Sequence, residues 1–214
     1  MTYDALIFDI DGTLWNASAT SAKGWNMGLT KLGIDKKVSA EQIGMVAGLP
    51  YEECVDMLFP GMRKSYPELF KTLDKYETEA IKSEGGLFFD GVIEGILELA
   101  GRYKIFLVSN CQEWYLRLFL DFSGLKHILA GADCNGISGL PKNEMLLRMK
   151  RDYALKNPVY IGDTAGDEEA AELADIDFIF ASWGFGKPNG SPTTVTSIGE
   201  LLEHISNKTR ISRF

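Results

Sequence analysis

Long hydrophobic runs are missing from this sequence. None approaches the roughly 18 residues that a membrane-spanning helix requires, so no membrane partner is implied. Cysteine is scarce: Cys54, Cys111 and Cys134 are odd in number and form neither a C-x-x-C pair nor a Cys/His metal spacing. That argues against structural zinc and fits reduced thiols. Positive charge is short as well. Lys and Arg total 22 against 30 Asp and Glu, and the net charge of −8 argues against nucleic acid as a partner and against anionic surfaces. An anionic substrate would have to meet local positive charge or a metal. Met1-Thr2-Tyr3-Asp4 lacks the basic region of a secretory signal, and the apolar stretch behind it carries two aspartates, so a cytoplasmic protein is expected.

What is present is an ordinary globular composition, with 45% hydrophobic and 24% charged residues in 214. That length allows one good core plus a smaller module. The chain is organised around Ala5-Leu6-Ile7-Phe8-Asp9-Ile10-Asp11-Gly12-Thr13-Leu14. Its apolar half reads as a short buried strand that stops where two carboxylates begin. Asp9 and Asp11, one residue apart, would face the same way on an extended backbone and repel unless a cation or a shared proton intervenes. Gly12 lets the chain turn away and leaves both at a strand's carboxyl end, where open α/β sheets bind ligands.

After this strand, Trp15 to Ser21 reads as a small-residue linker. Amphipathic helices are then expected from Ala22 to about Gly33, after Ser39 (with Gln42 completing a capping box) to about Gly48-Leu49-Pro50, from Glu52 to Leu58, and from Pro67 to Lys82. Ser83 to Gly86 reads as a second linker. Beyond it strands and helices alternate. Helices are expected at Val92 to Ala100, Glu113 to Phe122, Met145 to Leu155 and Glu168 to Ala174, and strands at Lys104 to Val108, Ile128 to Gly131, Val159 to Gly162 and Asp177 to Ala181. The pattern is α/β, a doubly wound parallel sheet with right-handed crossovers. The tail from Asn207, with Lys208, Arg210 and Arg213, is expected to fray.

Three further features stand where chemistry could use them. Ser109 ends an apolar strand and is followed by Asn110, Lys142 follows the Gly139-Leu140-Pro141 turn, and Asp163 and Asp167 follow the strand that ends in Gly162. A strand-end hydroxyl can hold a phosphoryl oxygen, an ammonium can neutralise a carboxylate and a phosphate together, and carboxylates there can complete a hard-cation site. Asp167 is also placed to cap the next helix.

In this order, the four features resemble the four motifs of the haloacid dehalogenase-like hydrolases, a superfamily dominated by magnesium-dependent phosphatases. The resemblance extends to a Rossmann-like core of residues 1–16 and 86–214 with a helical C1-type cap, residues 17–85, inserted after the first strand. It is nearest the phosphoglycolate phosphatase-like branch, although Asn143 and Asp90 stand where that branch has prolines. The resemblance implies Asp9 as the nucleophile that forms an aspartyl phosphate, and Asp11 as general acid and then base. It implies Mg²⁺ held by Asp9, Asp163 and the main-chain carbonyl of Asp11, with Asp167 acting directly, through water or by fixing Lys142. Thr13, Ser109, Asn110 and Lys142 would hold the phosphoryl group, and the cap loop at Gly48 and Leu49 would face the substrate. The expected partner is a small phosphate monoester; the oligomeric state stays open. A sugar phosphomutase and a non-catalytic regulatory protein on the same fold are the alternatives, and Asp11 argues against dehalogenases and phosphonate-cleaving relatives.

Overall fold

The computed structural model describes the backbone of residues 2–211 and the side chains of residues 2–207. In chain order the elements are β1 (Ala5–Phe8), β2 (Trp15–Asn16), α1 (Ser18–Lys31), α2 (Ala40–Val46), α3 (Tyr51–Leu58), α4 (Met62–Ser65), α5 (Leu69–Glu84), β3 (Leu87–Phe88) and α6 (Val92–Ala100). There follow β4 (Lys104–Ser109), α7 (Glu113–Ser123), β5 (Leu129–Cys134), α8 (Asn135–Ser138), α9 (Lys142–Asp152), β6 (Pro158–Gly162), α10 (Ala165–Leu173), β7 (Asp177–Ala181), β8 (Thr193–Val195) and α11 (Ile198–Ile211). No described helix is long and apolar enough to cross a membrane.

Six strands form one parallel sheet in the order β5-β4-β1-β6-β7-β8, while β2 and β3 form a separate antiparallel pair. Setting that pair aside, the order is the doubly wound one, in which strand order reverses beside the first strand and leaves a ligand crevice there. β1 lies at that point, between β4 and β6, and all four of its residues are buried. Its side chains alternate between two apolar layers. Leu6 and Phe8 join Ile96, Leu107 and Phe119 on one face, while Ala5 and Ile7 join Met145, Tyr160 and Ala171 on the other. A strand covered on both faces has to be apolar throughout, as this one is.

The helical segment from α1 to α5 has its own apolar cluster, including Trp25, Leu29, Val55 and Leu73. Its two long helices approach closely because α1 carries Gly24, where a Cβ would fall 2.6 Å from the Glu77 Cα. The expected capping box opens α2: Ser39 Oγ accepts from Gln42 N at 3.2 Å, and Gln42 Oε1 accepts from Ser39 N at 3.0 Å.

Several boundaries differ from the sequence reading. Ser83 and Glu84 extend α5, and Gly85, with φ of +67°, closes it. α9 starts at Lys142 rather than Met145, because Pro141 serves as its N-cap. α10 starts at Ala165 behind Thr164, the short β8 was not anticipated, and the backbone of α11 runs past Asn207 to Ile211. Fraying of Lys208 and Arg210 concerns side chains outside the described residues, as does Arg213 altogether.

The largest difference is at Trp15. Its stretch is no linker: Trp15 pairs with Phe88 across the β2/β3 ladder and is wholly buried. Its ring meets Tyr115 and Phe119 edge-on, with centroids 5.5 and 5.3 Å away. A polar run hid one large aromatic, whose burial outweighs the small residues around it. Trp15→Ala should therefore lower unfolding stability by about 3–5 kcal/mol in a urea titration. A loss below about 1 kcal/mol would return Trp15 to the role of a linker residue.

Candidate functional site

The site is built at the carboxyl ends of β1, β4 and β6. Past Phe8 the chain winds tightly: the Ile10 carbonyl accepts from the backbone N–H groups of Thr13, Leu14 and Trp15. Gly12 sits at φ of +80°, and a Cβ there would lie 2.1 Å from Asp163 Oδ2. Glycine is thus required by both the turn and the approach to a carboxylate.

Oxygens of Asp9, Asp163 and Asp167 lie within 4.8 Å of one another, and all three residues are fully buried. Lys142 reaches them from the first turn of α9, its Nζ 3.0 Å from Asp9 Oδ1 and 2.5 Å from Asp167 Oδ1. Each carboxylate is held differently. Asp167 Oδ1 accepts from Lys142 and lies 3.0 Å from the Tyr160 hydroxyl, while its Oδ2 accepts from Asp163 N, Thr164 N and Thr164 Oγ1. Asp167 thus fixes Lys142 but does not N-cap the helix as expected: Thr164 is the N-cap, and Asp167, in the third helical position, accepts from its backbone N–H. Asp163 accepts from Thr13 Oγ1 at 2.9 Å and from Phe185 N at 2.8 Å. Asp9 Oδ2 is different, being buried with no hydrogen-bond partner.

Three buried carboxylates and one ammonium leave two negative charges uncompensated in this cluster. Burial pushes Asp163 up to about 7, with Asp167 and Asp9 adding repulsion, and burial likewise raises Asp9 against the pull of Lys142. For Lys142, burial works downward but the two carboxylates prevail and hold it well above the usual range. Burial also opposes Asp167, yet Lys142 keeps it below the ordinary value. The donor set is all oxygen, and the charge deficit is that of a divalent cation. These residues fit a hard cation such as Mg²⁺.

Asp11 stands apart from that cluster. Its carboxylate accepts from the Tyr115 hydroxyl, and burial pushes it up to about 8. A carboxyl group neutral near pH 7 can donate a proton. Ser109, at the end of β4, accepts weakly from Cys111 N at 3.4 Å and is otherwise open to a ligand. Asn110 donates through Nδ2 to the Gly48 carbonyl at 2.8 Å, and Gly48 also lies beside Thr164, so the loop between α2 and α3 rests on the carboxyl end of the sheet. Leu49 lines the half-open cavity there, together with Asp11, Ser109 and Asn110.

Thr13 is placed differently from its expected use. Thr13 was expected to hold a phosphoryl oxygen, but its buried hydroxyl donates to Asp163, because the tight Ile10 turn aims it into the acidic cluster. Tyr115, Tyr160, Thr164 and Phe185 were missed. Only Thr164 had a signal, three residues ahead of Asp167 as in a capping box.

Residues 6–181 match the family model described as haloacid dehalogenase-like hydrolase. The chain is 23% identical to a phosphoglycolate phosphatase of Aquifex aeolicus, over 94% of this chain and 96% of that protein. Among solved structures, a haloacid dehalogenase-like family hydrolase from Streptococcus pneumoniae superposes with a TM-score of 0.83 at 20% identity, covering 94% of this chain and 98% of that one. A predicted phosphatase from Clostridium acetobutylicum gives 0.81 at 18%, covering 97% and 100%.

The raised carboxyls set a pH dependence. Folded Asp11 and Asp163 retain protons up to about 8 and 7, whereas unfolded carboxyls release theirs near 4, so the folded state binds more protons in between. With chelator present, their contribution makes Tm decline from pH 5 to pH 8, and Asp11→Asn should flatten that decline. Added Mg²⁺ should raise Tm more at pH 8 than at pH 5, because it competes with those protons. A Tm indifferent to Mg²⁺ at pH 8 would contradict the cation site.

Proposed function

The chain belongs to the haloacid dehalogenase-like hydrolases, and from that membership we propose a magnesium-dependent phosphatase that cleaves small organic phosphate monoesters through an aspartyl phosphate. The observation that carries the reading is Asp9 Oδ2, a buried carboxylate oxygen without a donor, beside a lysine that holds its partner oxygen. An oxygen so placed is free to attack.

Asp9 Oδ2 attacks phosphorus, forming the acyl–phosphate bond while the ester oxygen–phosphorus bond breaks. The departing alkoxide takes the proton of Asp11, whose raised affinity keeps it protonated near neutrality. Asp11, now ionised, takes a proton from water as the water oxygen attacks phosphorus, and the bond to Asp9 breaks to release inorganic phosphate. Tyr115 holds the Asp11 carboxyl in one orientation throughout. Lys142 neutralises Asp9 and the phosphoryl oxygens together, and Asp167, tied down through both its oxygens, keeps Lys142 in place. Ser109 and backbone N–H groups near Asn110 bind the remaining phosphoryl oxygens. Mg²⁺, held by Asp9, Asp163 and the Asp11 carbonyl, would add charge neutralisation at the transferring phosphoryl group.

In this reading residues 17–85 are a cap over a core made of 1–16 and 86–214. The separate apolar cluster of the helical segment and its two ties to the core, Gly48 to Asn110 and Asp74 to Trp114, support it. A cap that closes excludes bulk water and suits small substrates. Three unpaired thiols fit a cytoplasmic setting.

Asp9→Asn should reduce hydrolysis of p-nitrophenyl phosphate by about 10³-fold or more, while circular dichroism stays that of the wild type. Chelation should silence the wild type and Mg²⁺ restore it, with Ca²⁺ a poor substitute because it prefers more ligands. An Asp9→Asn variant that keeps a substantial share of the wild-type activity, or wild-type activity indifferent to chelator, would refute the mechanism.

A further inference from the structure

Two buried acids are left over by the mechanism; Asp133 is paired with Arg148, and the other has no such cation. Glu77, on α5, is only 6% exposed and lines the same cavity as Asp11 and Asn110. It is held in place rather than stranded. Its Oε2 accepts from Trp25 Nε1 at 2.6 Å, the Gly24 contact brings α1 and α5 together at this point, and Trp114 of α7 donates to Asp74 of α5 at 2.8 Å. The helix carrying Glu77 is thereby fastened above the site. Asn110 adds a second acceptor. Because the Gly48 carbonyl can only accept, the Asn110 amide nitrogen must face it, and that leaves Oδ1, which is buried without a partner. No Lys, Arg or His is among the described residues lining this cavity. The Glu77 carboxylate and the Asn110 amide oxygen, with no cation beside them, disfavour a second anionic group and suit hydrogen-bond donors, and the buried Tyr51 hydroxyl in the same lining can donate or accept.

We propose that this cavity takes the alcohol part of the ester, and that the Glu77 carboxylate selects small alcohols whose far end carries a hydrogen-bond donor, a hydroxyl or an ammonium, over those ending in a carboxylate. The inference rests on the phosphatase reading above. It separates this chain from the substrate that names its Aquifex aeolicus relative, since the second carboxylate of phosphoglycolate would meet Glu77 with no countercharge. Burial pushes Glu77 up to about 7, with bonds from Trp25 and Ser21 opposing, so an ammonium would bind its ionised form best and a hydroxyl would tolerate either form.

The test uses four esters of nearly equal size that differ at the tip: 2-hydroxyethyl, 2-aminoethyl, ethyl and carboxymethyl phosphate, the last being phosphoglycolate. With Mg²⁺ present, kcat/KM for the hydroxyethyl and aminoethyl esters should exceed that for ethyl phosphate by about 10- to 100-fold, the range expected of one hydrogen bond to a charged group. Carboxymethyl phosphate should fall below ethyl phosphate. In Glu77→Gln the aminoethyl-to-ethyl ratio should collapse towards unity and the carboxymethyl-to-ethyl ratio should rise. Wild-type preference for carboxymethyl phosphate, or an unchanged ranking in folded Glu77→Gln, would overturn the proposal. If that variant does not fold, the wild-type ranking decides alone. Failure to hydrolyse any of the four esters or p-nitrophenyl phosphate would refute the phosphatase reading itself and the inference with it, whereas hydrolysis of p-nitrophenyl phosphate without the ranking refutes only the inference.

Discussion

Two uncompensated negative charges in a buried cluster constrain everything around them. Asp9, Asp163 and Asp167 lie fully inside the protein with Lys142 as their one ammonium, and such a group is costly unless protons or a divalent cation balance it. The surroundings answer that constraint piece by piece. Gly12 and Gly184 lack the Cβ that would collide with Asp163, the turn at Ile10 aims Thr13 at it, and the Phe185 N–H reaches it from the loop after β7. Asp167 is so completely bonded that it acts as a fixed base for Lys142. The one oxygen left without a donor belongs to Asp9.

The sheet explains why these groups meet. β1 lies where a doubly wound sheet reverses its order, so the carboxyl ends of β1, β4 and β6 open side by side, and four features far apart in sequence converge on one crevice. The helical segment contributes the roof. Its bonds from Gly48 to Asn110 and from Asp74 to Trp114 hold it against the crevice, and they set Glu77 over the proposed leaving-group position. In the proposed function, core residues handle the phosphoryl group and the roof handles what is attached to it.

Much of this was legible in the sequence, for identifiable reasons. Strands buried on both faces are apolar throughout, so β1, β4 and β6 stood out, and Asp9, Ser109 and Asp163 were marked by standing at their ends. Ser39 and Gln42 declared their capping box by spacing alone. What stayed hidden depends on tertiary approach. Tyr115 reaches Asp11 across 104 positions and Phe185 reaches Asp163 across 22, and no local pattern encodes either contact. Thr13 was found but its hydroxyl was aimed wrongly, since a motif gives the residue and not its rotamer. Trp15 was lost among small polar neighbours because one ring in the core outweighs the average of a window. Glu77 sat unremarked on an amphipathic helix, where a charge ordinarily faces water and here faces the site.

In the proposed mechanism Asp9 becomes covalently phosphorylated during turnover. Enzyme quenched in the steady state and reduced with borohydride should yield homoserine in place of Asp9, because an acyl phosphate is reduced whereas a free carboxylate is not, and peptide mass spectrometry reads the difference. The account predicts that product at Asp9 in the presence of substrate and Mg²⁺, and its absence when substrate is omitted. Active enzyme whose quenched peptide always carries intact Asp9, or carries the reduction at another carboxylate, would contradict it.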